Sequence, residues 1–355
     1  MLLQLRSASR RILGTRAASD GGGLDGFHFD GHVSWFPGHM AKAAEAIERK
    51  LRSGRAAPDL IVEVRDARLP LSSANPSLAE AGRGKPRLVV FNKSDLANSN
   101  MRARTEACVR AREPGIDMLF ASALKQKQSV ARVLSWARGA AAELEFSTAV
   151  VMILGMPNVG KSTLINQLRR IAAAGGGNGG AGGRRGKPRR SGKAKKGARV
   201  GAMPGVTRSL DMLKISDAPP LFMLDTPGVM VPKVPSADAG LKLALLNVAH
   251  EKVVGEEVLA DYMLHLLHRT KRAGRALELL GAGGGGGGVA AAGADGDEPP
   301  TVQALMTNPE ALRCCGAAGK QPHDAARIMS TFLLRSLREG RCGLLTLDDV
   351  SDGGP

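Results

Sequence analysis

The chain carries only four cysteines, Cys108, Cys314, Cys315 and Cys342, and no two of them form a C-x-x-C pair. Neither a zinc cage nor a regular disulfide framework can be written from them. No apolar run approaches the roughly 20 residues that cross a bilayer as a helix, and no lipidation motif is present. The expectation is a soluble mature protein, without a transmembrane segment, that at most lies on a membrane surface. Two segments lack acidic residues altogether. Residues 1–19 contain Arg6, Arg10, Arg11 and Arg16, and residues 184–199 contain nine Lys/Arg; together they leave only +4 of the formal net charge of +17 for the rest of the chain. A basic arm on a near-neutral body calls for a polyanionic partner, with nucleic acid the first choice.

The first of these segments, MLLQLRSASRRILGTRAAS, is rich in Arg and Ser and can form a basic amphipathic helix. Residues 1–20 therefore read as an organellar transit peptide cleaved between Arg16 and Gly23. Mitochondrial and plastid presequences overlap in composition, so this reading covers both addresses.

A chain of 355 residues can hold two domains. Short runs rich in Val, Ile and Leu (Leu60–Val64, Leu88–Phe91, Met118–Ala121, Ala149–Leu154, Met212–Ile215 and Leu221–Leu224) read as six strands. Helical lengths separate the first four, as in a parallel sheet covered on both faces. The turn Ser216–Pro220 makes the last two a hairpin with an antiparallel edge strand. The fold class is α/β, a six-stranded doubly wound domain over residues 33–235. Beyond Gly228, apolar spacing of i, i+3, i+4 over Ala239–Val248, Glu256–Arg272 and Asp324–Arg338 predicts an α-helical C-terminal domain, residues 236–355. Two low-complexity insertions, 174–199 and the Gly-rich 281–299, cannot bury enough apolar surface to offset chain entropy and read as disordered.

The segment Gly155-Met156-Pro157-Asn158-Val159-Gly160-Lys161-Ser162-Thr163 fits GxxxxGK[ST] between a predicted strand and a predicted helix. Backbone N–H groups there cradle phosphates at a helix N-terminus, Lys161 reaches the β- and γ-phosphates, and the Ser162 hydroxyl is a Mg²⁺ ligand. Asp225-Thr226-Pro227-Gly228 fits the DxxG element, with Asp225 holding Mg²⁺ through water and the Gly228 N–H sensing the γ-phosphate. Asn92-Lys93-Ser94-Asp95 fits NKxD: the Asp95 carboxylate can accept from guanine N1–H and its 2-amino group together, a donor pair that adenine lacks. Ser122-Ala123 fits the SA element that meets guanine O6, and Thr207 is the candidate switch threonine for Mg²⁺. These readings converge on GTP and GDP as ligands. A Ras-like chain runs P-loop, switch threonine, DxxG, NKxD, SA, whereas here NKSD and SA come first. Such a permutation leaves the site intact if the old termini are joined and the chain is cut elsewhere. Ras-like enzymes place a Gln after DxxG to orient water; Val229 stands there instead. Asn158, beside a monovalent cation, and His39, as a water-orienting imidazole, are the substitutes the sequence offers.

Taken together, these residues resemble the YlqF/YawG family of circularly permuted GTPases, and within it the mitochondrial ribosome-associated type. The likeness spans roughly residues 33–275 and part of the C-terminal helices. It rests further on Trp35-Phe36-Pro37-Gly38-His39-Met40-Ala41-Lys42, on Asp66-Ala67-Arg68 with Pro70, and on Gly201 and Pro204-Gly205-Val206-Thr207-Arg208. The resemblance implies a GTP hydrolase that matures a large ribosomal subunit, with rRNA and ribosomal proteins as partners. It implies catalytic roles for His39, Asn158 and Lys161, Mg²⁺, activation by K⁺, and a hydrophobic residue at Val229. It places the protein in the mitochondrial matrix or peripherally on the inner membrane, with the plastid as the alternative. A different class, a GTP-binding RNA scaffold with little turnover, is the reading that Val229 by itself favours.

Overall fold

Residues whose side chains are β-branched or long and apolar form the sheet, and the computed structural model gives it six strands: β1 (Leu60–Asp66), β2 (Arg87–Asn92), β3 (Asp117–Phe120), β4 (Ala149–Leu154), β5 (Met212–Asp217) and β6 (Pro220–Asp225). The structure describes residues 26–27, 29, 38–52, 57–145, 147–175, 212–231, 234–281 and 299–350. Strand order is β3-β2-β1-β4-β6-β5, all pairs parallel except β5 with β6. All seven residues of β1 are buried, as a central parallel strand covered on both faces requires. Two of them, Glu63 and Arg65, carry charge into the middle of the strand. Arg65 reaches Glu63 at 2.7 Å and Glu113 at 2.7 and 2.8 Å, while Arg87 pairs with both acids, so each buried charge has opposite partners.

The P-loop strand β4 lies at the centre, with the DxxG strand β6 on one side and β1 on the other. The order of growth reverses between β1 and β4, since β2 and β3 extend the sheet one way and β6 and β5 the other. The crevice at the C-terminal ends of β1 and β4 is therefore the topological switch point, where open α/β sheets bind ligands. The predicted six-stranded doubly wound sheet is the one observed. Its hairpin is tighter than predicted: the strands run on to Asp217 and resume at Pro220, leaving Ala218 and Pro219 as the turn.

Helices cover both faces. Helix α1 (Gly38–Leu51) lays Ala44, Ile47 and Leu51 on Ile61, Met152, Leu224 and Val229. Helix α2 (Pro76–Ala81) starts at an Asn75 cap with Pro at its first position. Helices α3 (Arg102–Arg112), α4 (Lys127–Glu143) and α5 (Lys161–Gly175) follow β2, β3 and β4. Helix α5 runs through Ala174 and Gly175, which composition alone assigns to the basic insertion; residues 176–199 and 282–298 lie outside the described residues, as do residues 1–25.

After β6 the chain forms α6 (Ala237–Leu245), α7 (Glu256–Arg269), α8 (Ala273–Leu279), α9 (Val302–Leu305), α10 (Pro309–Cys315) and α11 (Pro322–Arg338). The first two end three residues earlier than their apolar periodicity suggests. The left-handed residues Asn247 and Lys271 lie just beyond their ends, where the chain turns out of the helix. One apolar cluster runs from sheet to helices without a break, from Leu60 and Ile153 through Leu241 and Leu264 to Leu333 and Leu337. Beyond α11 the chain returns non-helically to the sheet loops: Leu345 N donates to Leu96 O at 3.1 Å and Leu347 N to Arg68 O at 2.8 Å. The four cysteines are free thiols. Among the described residues no helix is long and apolar enough to cross a membrane.

Candidate nucleotide site

The P-loop folds as it does because two of its positions exclude a side chain. Gly155 has φ 143°, and a Cβ there would stand 2.3 Å from Val64 O; Gly160 has φ 99°, and its Cβ would stand 2.2 Å from Asn92 Nδ2. The apolar residues between them, Met156 and Val159, are fully buried and anchor the loop from below, with Pro157 beside them. Asn158 sits at the loop's turn with φ 54°, a conformation that short amide side chains tolerate. Helix α5 then starts at Lys161, so Ser162 and Thr163 lie in its first turn, where unpaired N–H groups and the helix dipole favour an anion.

The buried Lys161 ammonium donates to Gly155 O at 2.9 Å and Met156 O at 2.6 Å. Burial pushes its pKa down to about 8, and the charge of Asp225 only partly opposes this. Phosphate oxygens at this position would restore the ammonium. Nucleotide binding should therefore take up protons above pH 8, and GTP affinity should fall as pH rises through about 8, by at most one log unit per pH unit. Calorimetry between pH 7 and 9 in buffers of different ionisation enthalpy measures both quantities; a flat affinity with no proton uptake would show that the Lys161 ammonium keeps its proton in the empty site.

The DxxG segment lies against this loop. Register pairs Ile153 with Asp225, and Thr226 Oγ1 donates to Ile153 O at 2.6 Å. Gly228 approaches so closely that a Cβ there would be 2.7 Å from Pro157 Cα and 3.0 Å from Lys161 Nζ. Val229, at the position of the missing Gln, is 1% exposed and faces the cluster under α1. Its N–H donates to Gly155 O at 3.3 Å and its carbonyl accepts from Asn75 at 3.3 Å. A hydroxyl (Ser162) and a buried carboxylate (Asp225) at adjoining strand and helix ends are hard oxygen donors, the chemistry Mg²⁺ takes. No cluster of three or more His, Cys, Asp or Glu that could hold a metal occurs among the described residues.

The NKSD and SA loops are tied to the same place. Asn92 Oδ1 accepts from Ala123 N at 3.0 Å and Asn92 Nδ2 donates to Val159 O at 2.9 Å, so one amide joins the SA, NKSD and phosphate loops. Lys93, at φ 60°, donates to Asn158 O at 2.7 Å. The Asp95 carboxylate pairs with Lys125 at 3.0 Å. Partial burial pushes its pKa up, but hydrogen bonds from Ser122 and Lys125 outweigh this and hold it below the usual carboxylate range. It is ionised at neutral pH, as an acceptor of two guanine donors must be. Leu124, next to Ala123, is 76% exposed at this edge.

Of the predicted site residues, Asn92, Lys93, Asp95, Ser122, Ala123, the P-loop set, Asp225 and Gly228 thus gather at one edge of the sheet. Thr207 lies outside the described residues. His39 belongs to the first turn of α1, whose apolar face shares a cluster with Val229, but its side chain lies outside them. Three residues to which the motifs assign no chemistry also belong here. Asn247 O, beyond α6, accepts from Asn158 Nδ2 at 2.7 Å; Asp66 and Arg68 stand behind Lys93. Asn247 has one usable signal, an Asn at the end of a helical stretch, which is where left-handed C-terminal residues occur.

Residues 150–280 match the family model of the 50S ribosome-binding GTPases. Mitochondrial ribosome-associated GTPase 1 of Xenopus tropicalis is 38% identical over 241 residues, covering 66% of this chain and 70% of that protein. Ribosome biogenesis GTPase A of Bacillus cereus is 31% identical over 332 residues, covering 91% of this chain and 95% of that one. Among solved structures, GNP-bound YlqF from T. maritima superposes with a TM-score of 0.51 at 18% identity, covering 86% of this chain and 99% of that chain, a likeness of fold.

Proposed function

Because the chain belongs to the YlqF/YawG family of circularly permuted GTPases, and so is a P-loop GTP hydrolase, we propose that it assembles ribosomes: it binds the large subunit of the mitochondrial ribosome late in assembly and couples hydrolysis to its own release. The observation that carries this reading is the convergence of NKSD, SA, P-loop and DTPG on one sheet edge, in a chain similar to a protein named as a mitochondrial ribosome-associated GTPase. The partners are rRNA and ribosomal proteins of that subunit, and the location is the mitochondrion, in the matrix or peripherally on the inner membrane.

In this reading Asp95, with the Ala123 N–H, selects guanine, and Asn92 fixes the two loops to each other. Lys161 and the first turn of α5 hold the triphosphate through charge and N–H groups. Ser162, Asp225 and Thr207 would hold Mg²⁺, which supplies charge neutralisation of the phosphates when bound. Asn158 would meet K⁺ beside the phosphates. With Val229 buried where a water-orienting Gln would stand, the unassisted rate is low, and His39 orients the attacking water only on the ribosome. The cut in the permuted chain falls just after Gly228, so loss of the γ-phosphate at DTPG acts on a segment leading directly into α6.

The test is GTP turnover with and without purified large subunits, in potassium and in sodium. Stimulation by the subunit, greater in potassium, is expected; equal turnover in all four conditions would contradict the proposal. The basic insertion supplies a further expectation. Its nine cations in residues 184–199 should meet RNA phosphates without reading sequence. Deleting them should flatten the salt dependence of RNA binding, by about 0.7–0.9 of log–log slope for each phosphate no longer neutralised. An identical slope for the deleted and intact chains would make the insertion a solvated loop.

A further inference from the structure

Behind the guanine loop lies a carboxylate to which neither the motifs nor the proposed mechanism gives a task. Asp66 ends β1 and is 0% exposed. Its carboxylate accepts from Arg68 Nε at 3.0 Å and Nη2 at 2.9 Å, and its Oδ2 is 2.9 Å from Lys93 Nζ. Lys93 spans the two halves of the site: its backbone takes the left-handed conformation that turns the chain from β2 into Ser94 and Asp95, and its ammonium also donates to Asn158 O in the P-loop. That conformation costs a non-glycine residue free energy and persists only where the surroundings over-determine it. Two partners of the ammonium do so here, and Asp66 is the charged one.

Without Asp66 the ammonium would be poorly placed. Burial lowers the pKa of Lys93, and the nearby guanidiniums of Arg68 and Arg338 oppose its charge; Asp66 is the counter-charge. The same carboxylate fastens the loop to the far end of the chain. Arg68, held by Asp66, donates to Arg338 O at 3.3 Å. Arg338 in turn donates to Leu245 O at 2.7 Å and Ala244 O at 3.2 Å at the end of α6, and pairs with Glu251 at 2.7 Å. The returning C-terminal segment closes over this junction: Asp348 accepts from Leu71 N at 2.7 Å, Ser72 N at 2.8 Å and Ser72 Oγ at 2.5 Å.

We infer that Asp66 is the positioning residue for guanine recognition: it holds Lys93 in its turn so that Asp95 is aimed at the base, and through Arg68 it fastens that turn to the end of α11. The inference rests on the assignment of Asn92–Asp95 as the guanine loop. Its consequence differs from that of a merely structural acid. If the turn relaxes, Asp95 is misdirected, and what declines is discrimination for the guanine 2-amino group as well as affinity.

The experiment uses the full chain and compares equilibrium binding of GTP with that of ITP, which lacks the 2-amino group, for wild type, Asp66→Asn, Lys93→Met, the double variant and Asp95→Asn. Asp66→Asn should weaken GTP by about tenfold or more and reduce the GTP-over-ITP ratio severalfold. The double variant should bind no worse than Lys93→Met alone, because Asp66 acts through Lys93. Removing a buried counter-ion can prevent folding. If Asp66→Asn does not fold, the double variant, with one fewer uncompensated cation, decides by the same comparison. A wild-type GTP-over-ITP ratio in Asp66→Asn, or additive effects in the double variant, would overturn the inference. Failure of the guanine-loop assignment looks different: wild type without preference for GTP over ITP, or Asp95→Asn retaining it.

Discussion

The variant His39→Ala should bind GTP almost as wild type does and yet turn over roughly 10²–10⁴ more slowly on the ribosome, the range of a positioned acid–base group. The two effects separate because, in the proposed site, affinity resides elsewhere, in Asp95, Asn92, Lys161 and the first turn of α5. Basal hydrolysis should change little, since in this account the imidazole acts only on the ribosome. The variant should consequently stall on the large-subunit precursor in its GTP state. Val229 sharpens the expectation: it is packed under α1, with its backbone held by Gly155 and Asn75, and a valine there cannot take over the orientation of water. Rapid-quench turnover with saturating large subunits is the decisive measurement. Wild-type stimulated turnover in His39→Ala would transfer the role to Asn158 and its cation.

The second large effect lies at the base. Asp95→Asn replaces a carboxylate acceptor with an amide that offers one acceptor and one donor. GTP binding should weaken by about 1.5–3 kcal/mol, the worth of hydrogen bonds to a charged group, which is about tenfold to over a hundredfold. The native carboxylate is held ionised by Ser122 and Lys125 against the effect of partial burial, so the weakening should be independent of pH across the neutral range. Titration with GTP and ATP checks it, and an unchanged preference for GTP over ATP would sink the assignment of Asn92–Asp95.

The parallel sheet is legible in the sequence because its strands are short Val/Ile/Leu runs separated by helical lengths, and the P-loop because a GxxxxGK[ST] segment has meaning only between a strand and a helix. Motif order discloses the permutation, and the strand order β3-β2-β1-β4-β6-β5 is compatible with such a rearrangement. Pairings between residues distant in the chain are not legible in the same way. Nothing local in Asn247 indicates that its carbonyl receives the Asn158 amide 89 residues away. Nor does Asp348 advertise that it caps N–H groups at Leu71 and Ser72. Asp66 and Arg68 are legible as a motif but not as a linkage, since their partners Lys93 and Arg338 are brought to them only by packing. Periodicity overstates the lengths of α6 and α7, because apolar spacing continues past the point where the backbone turns left-handed.

If hydrolysis drives release, the bound nucleotide governs residence on a large ribosomal subunit. Sedimentation of the tagged protein from mitochondrial lysate through a sucrose gradient, with GTP, GDP or a non-hydrolysable GTP analogue present, tests it most directly. The analogue should hold the protein on the large-subunit fraction, GDP should release it to the top of the gradient, and GTP should give release at the pace of hydrolysis. Sedimentation at the top under all three nucleotides, or co-migration with another particle irrespective of nucleotide, would contradict it.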